Sequence, residues 1–242
     1  MIGSVLSYIS PASTVHLNTE FVMKNSLTGT DLDRIRDAVK KAEARTSGEI
    51  VPYFVAQSDR YEVALWKGVV VAAALAMLIV VSIFNFYSGW GLGWLHTGWG
   101  TALFTVAFGT AGGLMGAFVP AVRRALVGSN ALTRAVHRNA MKAFVEEEVF
   151  NTRDRTGILL FISKFEHRIE VLGDAGINKK VSADEWVEIV DHIRAGIKQG
   201  RFVDGVIDGI EMCGHLLEKS GVEIRDDDMN ELPDAVRFRK ND

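Results

Sequence analysis

Hydrophobic positions along this chain follow two regimes. In the flanks they alternate with charged residues at the periods of helices and strands, whereas from Val69 to Val122 they run on without a single Asp, Glu, Lys or Arg. Thr28 or Thr30 can cap a first helix, in which Leu32, Ile35, Val39 and Ala42 form one apolar stripe and which Gly48 ends. Residues 49–56, Glu-Ile-Val-Pro-Tyr-Phe-Val-Ala, read as a strand, with Pro52 marking an edge position or a bulge. Beyond the apolar centre, Ala131–Phe150 has helical period. Ile158–Ile162 is pure enough for a buried strand, and Arg168–Leu172 alternates as its hairpin partner would. Two amphipathic helices follow, lined by Trp186, Ile189, Val190, Ile193 and Ile197, and by Val203, Val206, Ile210, Cys213 and Leu217. This order predicts a small α/β sandwich, its first two strands joined by a crossover and therefore parallel.

The apolar centre needs a different solvent. Val69–Tyr87 is uncharged and long enough as a helix to span roughly 30 Å of hydrocarbon, and Thr101–Val122 repeats the pattern. Gly109, Gly113 and Gly116 suit close packing in lipid, against the first helix or against the same helix of another copy. Trp90, Trp94 and Trp99 between the two spans fit a headgroup-level turn. A buried hairpin inside a soluble core would need a much larger protein around it. We therefore expect a transmembrane helical hairpin, residues 67–124, inserted in the domain. Residues 27–66 and 125–220 supply the two halves of that domain, 1–26 an N-terminal tail without the charged start of a secretory signal, and 221–242 a charged, loosely held C-terminal tail. Lys67, Arg123 and Arg124 flank the spans and the turn has no such charge, which places both termini in the cytoplasm. Arg134, Arg138 and Lys142 make one helix stripe, suited either to anionic lipid headgroups or to solvent.

Composition agrees with this division, since 48% hydrophobic residues and a mean hydropathy of +0.13 are high for a purely soluble chain of 242 residues. A net charge of −3 gives no general attraction to nucleic acid. Cys213 is the single cysteine, on an apolar helix face, so it forms no intrachain disulfide and reads as a buried thiol.

The segments GEIVPYFV, DRTGILLFIS and RIEVLGDAGINKKV, with the two closing helices, resemble the TPM domain over Leu27–Ser220 outside the hairpin. The resemblance implies the α/β sandwich fold and, with the domain split by a hairpin, a bacterial variant held in the inner (cell) membrane as a multi-pass protein. Members are variously linked to calcium binding, weak acid phosphatase activity, photosystem repair and receptor assembly, so fold is implied more firmly than activity.

Pairing Ile162 near Ile169 and Gly157 near Leu172 or Gly173 brings Asp154 and Asp174 to one end of the sheet. Glu49 joins them if the first two strands are parallel. Three hard oxygen donors of this kind suit Ca2+ or Mg2+, whereas solvated loop carboxylates, or partners for Arg153 and Arg155, explain them without a metal. Asp59, past the other end of the first strand, reads as the cap of the next helix. No activated nucleophile, P-loop or metal-spaced histidine set is recognisable. The expected function is a non-enzymatic binding or assembly module whose partners are the lipid bilayer and other membrane proteins or its own copies. The alternative is a divalent-metal-dependent phosphatase.

Overall fold

The structure is a computed structural model that describes residues 27–86, 92–222, 224 and 231–239. The expected N-terminal tail, Trp90 and part of the charged C-terminal tail lie outside the described residues. Thr28 opens the first helix, α1 (Gly29–Glu43), through a capping box: its Oγ1 accepts the Asp31 N–H at 3.2 Å, and Asp31 Oδ2 accepts the Thr28 N–H at 2.9 Å. Ile35, Ala38, Val39 and Ala42 form its buried face. The helix stops five residues before Gly48, the terminator expected from the sequence. Gly48 is needed for another reason, because a Cβ there would lie 2.7 Å from both Leu217 methyl carbons.

A four-stranded sheet follows: β1 (Ile50–Val55), β2 (Ile158–Ser163), β3 (Arg168–Gly173) and β4 (Arg237–Phe238), in the order β3-β2-β1-β4. β1 and β2 run parallel with Ile50 opposite Ile158, and β2 and β3 run antiparallel with Ile162 opposite Ile169 and Ile158 opposite Gly173. β4 corrects the reading of the C-terminal tail as loose, since Arg237 and Phe238 pair parallel with Tyr53 and Phe54. Two paired residues carry no detectable period in a sequence, so their strand is defined by what they dock on.

Pro52 shows how the ladder accommodates a missing donor. The Ile158 N–H donates to Glu49 O and the Lys164 N–H to Val55 O, so the odd-numbered residues of β1 face β2 while Ile50, Pro52 and Phe54 face the β4 side. There the Ile50 N–H donates to Glu43 Oε1 at 2.8 Å and β4 pairs only at Tyr53 and Phe54. Pro52 thus sits where no neighbouring strand asks for an N–H.

Both faces of β1 and β2 are buried, the pattern of a covered parallel pair. Ile50, Phe54, Ile158, Leu160 and Ile162 share one core with Ile35 and Val39 of α1, with Ile189 and Ile193 of a later helix (Ala183–Lys198), and with Val206, Ile210, Cys213 and Leu217 of the helix Phe202–Lys219. Each such side chain contributes about 1.5–3 kcal/mol by leaving water. Burial also pushes the Cys213 thiol up to about 12, which leaves no thiolate for nucleophilic work near neutrality.

The chain divides into two compact units, one comprising the chain up to Ala56 and from Ala140 onward, the other Gln57–Asn139. The second unit holds α2 (Val63–Phe86), a 3₁₀ turn (Gly93–His96), α3 (Gly98–Phe118), α4 (Pro120–Val127) and the first part of α5 (Ser129–Glu146). α2 and α3 have 24 and 21 residues and are long and apolar enough to cross a membrane. α3 ends four residues before the expected Val122: Pro120 holds Val119 extended and begins a new helix. Gly109, Gly113 and Gly116 face α2 of the same chain. Gly68 and Gly112 bring the two backbones together, so that a Cβ on either would strike the carbonyl oxygen of the other. The outward surface remains apolar, with Val70, Leu78, Leu103, Val106 and Phe118 exposed.

The remaining helices complete the first unit as α6 (Ala175–Asn178), α7 (Ala183–Lys198) and α8 (Phe202–Lys219).

Candidate functional site

The registers place Glu49 just before β1, Asp154 ahead of β2 and Asp174 just after β3, at one end of the sheet, as the strand pairing expected. Their side chains are engaged separately. The Asp174 N–H donates to Gly157 O at 2.9 Å, and the Asp174 carboxylate, 5% exposed, accepts the Ala175 N–H at 2.7 Å at the start of α6. Arg155 grips the same carboxylate with two bonds, Nε to Oδ2 at 2.6 Å and Nη2 to Oδ1 at 3.0 Å. Gly176 lets this turn close, since a Cβ there would meet the backbone oxygens of Asp154 and Arg155. Asp154 itself is exposed. Among the described residues, no group of three or more His, Cys, Asp or Glu side chains is placed to hold a metal ion.

This arrangement makes Asp174 a structural clasp. Asp174→Ala is expected to cost about 2 kcal/mol in urea unfolding, from the lost cap and the severed ion pair. Asp174→Asn, which still caps α6, should cost about half of that. An alanine variant as stable as the parent would refute the clasp.

Glu49 belongs to a different group. It is 6% exposed, its Oε1 accepts the Glu231 N–H at 3.0 Å, and its Oε2 is buried without a hydrogen-bond partner. Burial raises its pKa above the ordinary carboxylate value, and the nearby Glu231 and Asp234 charges act in the same direction, against the backbone donors of Glu231 and Leu232. Glu43, at the end of α1, is pushed to about 9 by burial first, with Glu49 and Asp234 adding to the shift. Glu43, Glu49, Glu231 and Asp234 therefore form a carboxyl cluster at the start of β1 that holds a proton at neutral pH. Sequence reasoning named only Glu49 of these. Glu43 reads as an ordinary helix-end charge, and Glu231 and Asp234 lie about 180 residues further along the chain, where no local pattern marks them.

At the other end of β1, Asp59 does not cap α2 as expected. Tyr61 takes a positive φ of 51° and the helix begins only at Val63, so Asp59 Oδ1 instead accepts the adjacent Arg60 N–H at 2.7 Å while Oδ2 pairs with Arg138 at 2.9 Å. The stripe of Arg134, Arg138 and Lys142 lies on the exposed side of α5, and Lys142 turns to Glu146 at 3.2 Å.

Residues 127–216 match the model of the TPM domain family. The match takes in β2, β3 and the DRTGILLFIS and RIEVLGDAGI blocks. β1, with GEIVPYFV, lies upstream of the match and pairs into the same sheet. The fold is similar to the NMR structure of BA42 protein from the psychrophilic bacteria Bizionia argentinensis, with a TM-score of 0.52 and 22% identity over 88% of this chain and 95% of that one. At that identity the likeness is one of fold. No curated protein matches the chain.

Proposed function

We propose that the chain is a TPM domain anchored in the inner (cell) membrane of a bacterium, with both termini cytoplasmic, and that it works as a non-enzymatic binding or assembly module for other membrane proteins or for its own copies. The observation that carries this reading is the surface of α2 and α3: two helices packed through glycine backbones that turn their large apolar side chains outward. Water is a poor solvent for such a surface and lipid a good one. The buried thiol at about 12 and the engaged Asp174 carboxylate supply no assembled nucleophile, which favours binding over turnover.

The test has two stages. The chain should remain in vesicle membranes through an alkaline carbonate wash, then emerge in mild detergent with cross-linkable partners or as a multimer by mass. Release by the wash would defeat the membrane anchor. A strictly monomeric chain that co-purifies with nothing would defeat the assembly role.

A further inference from the structure

Charge is divided unequally between the two units. Gln57–Asn139 carries six Lys and Arg against two Asp and Glu, whereas the rest of the chain carries twenty-one against twenty-eight. All of the hairpin unit's charge is confined to residues 59–67 and 123–138, the segments that lead into α2 and out of α3. Its other end, around the 3₁₀ turn, has none.

These charges surround a pocket of about 540 Å³. Arg60, Arg134 and Arg138 line it, the last two one turn apart on α5, and Arg123 lies 6.0 Å from the Tyr61 ring that forms part of its wall. Asp59 neutralises Arg138 in part, and Glu62 is the other acid in the lining. Arg134 has no hydrogen bond or ion pair among the described residues. The wall is mixed, since Val63 and Val127 give it an apolar side. Lys67 reinforces the same end by donating to Leu126 O at 2.9 Å, and the Asn139 side chain donates to Ser58 O at 2.9 Å, fixing the loop that carries Asp59 and Arg60.

Depth selects the ligand. Val63 is both a lining residue and the first residue of α2, and Trp66, 68% exposed one turn further on, is the residue type found at headgroup level. From Trp66 to Phe86 the helix rises roughly 30 Å, the thickness of a bilayer's hydrocarbon. A molecule in the pocket would therefore sit among lipid headgroups, its anionic part against guanidinium groups and its apolar part against valines.

We propose that this pocket binds the phosphodiester headgroup of an anionic glycerophospholipid, an inference that rests on α2 and α3 crossing the bilayer. Arg134 and Arg138 hold the phosphate oxygens and Val63 and Val127 take the glycerol side. The lipid fixes the depth of the hairpin and completes the charge balance of its base.

Native mass spectrometry of the full chain, released from nanodiscs of equimolar phosphatidylglycerol and phosphatidylcholine, tests the site. One phosphatidylglycerol should be retained in preference to phosphatidylcholine. Arg134→Ala combined with Arg138→Ala should weaken that retention about thirtyfold, two surface-charge contributions, while Lys142→Ala on the same helix leaves it unchanged. If the double variant fails to fold, Arg134→Ala alone, at an exposed position, should still weaken it about fivefold. Equal retention of the two lipids, or parental retention by the arginine variants, overturns the proposal. Displacement by millimolar inorganic phosphate also overturns it and marks a free-phosphate site. A chain that resists the carbonate wash but shows no lipid preference sinks the pocket alone, whereas release by the wash sinks the membrane reading beneath it.

Discussion

Replacing Gly112 by leucine should pry α2 and α3 apart, and the effect should be large. A Cβ at Gly112 collides with the Ala72 methyl and with the Gly68 carbonyl oxygen, and one at Gly116 with the Ala64 carbonyl oxygen, so the helices touch through backbone along several turns. Under the proposed membrane placement, association gains little from burial of apolar area and depends on this close packing, so an inserted side chain removes what holds the pair together. Overpacking of about 1–3 kcal/mol is the expected cost. A cross-link reads it directly. The Cβ of a residue at Gly109 lies 3.6 Å from that of Ala73, within disulfide range, so Ala73→Cys with Gly109→Cys should oxidise readily in a Cys213→Ser background. Adding Gly112→Leu should suppress that bond. Undiminished cross-linking would mean that the helices do not meet as described.

The second large effect is a pH dependence that runs opposite to ordinary acid denaturation. With its pKa near 9 in the folded chain and an ordinary value of 4.5, Glu43 keeps a proton in the folded state that the unfolded state releases between those limits. The stability it contributes is therefore complete below 4.5, declines as pH rises and is gone above about 9. Glu49, raised by the same burial, acts in the same sense. Glu185 opposes them at low pH. Its value is lowered to about 2, first by Lys219 and then by the Ser182 cap, so its contribution disappears as pH falls below the ordinary carboxylate range. Stability should be greatest near pH 5. Glu43→Gln keeps an acceptor for the Ile50 N–H, supplies a donor toward Asp234 and never ionises. Its thermal midpoint at about pH 8 should exceed the parent's by on the order of 5 °C, and the two should converge near pH 5. A variant with the parent's full pH slope would show that Glu43 is not the proton holder.

What the sequence revealed and what it hid follow from the range of the interactions. The purity of Ile158–Ile162 and the alternation of Arg168–Leu172 encode burial of their own residues, so β2, β3 and their register could be read locally, and with them the end of the sheet where Glu49, Asp154 and Asp174 lie. The missing donor of Pro52 pointed to an edge position or a bulge, and neither holds: β1 is a central strand with an unbroken register to β2, and Pro52 is tolerated because β4 pairs only with Tyr53 and Phe54. Interactions that depend on a distant partner left no such trace. Arg155 is the exception, since the pairing of β2 with β3 already offered it as a partner for the carboxylates there, and it holds Asp174. Glu43 looks like a solvated helix terminus until β1 and the segment carrying Asp234 enclose it. The start of α2 and the end of α3 differ from the expected ones because Tyr61 adopts a left-handed backbone and because Pro120 breaks a run whose hydropathy continues.

The insertion of the hairpin between two paired strands also orders events in time. Ile50 lies opposite Ile158, so β1 leaves the ribosome more than one hundred residues before the strand it needs, and both apolar helices emerge in the interval. Closure of the sheet depends on this long loop, among the slowest kinds of contact a chain makes. The packing of α2 against α3 can thus be settled while the sheet is still open, before the step that completes the domain.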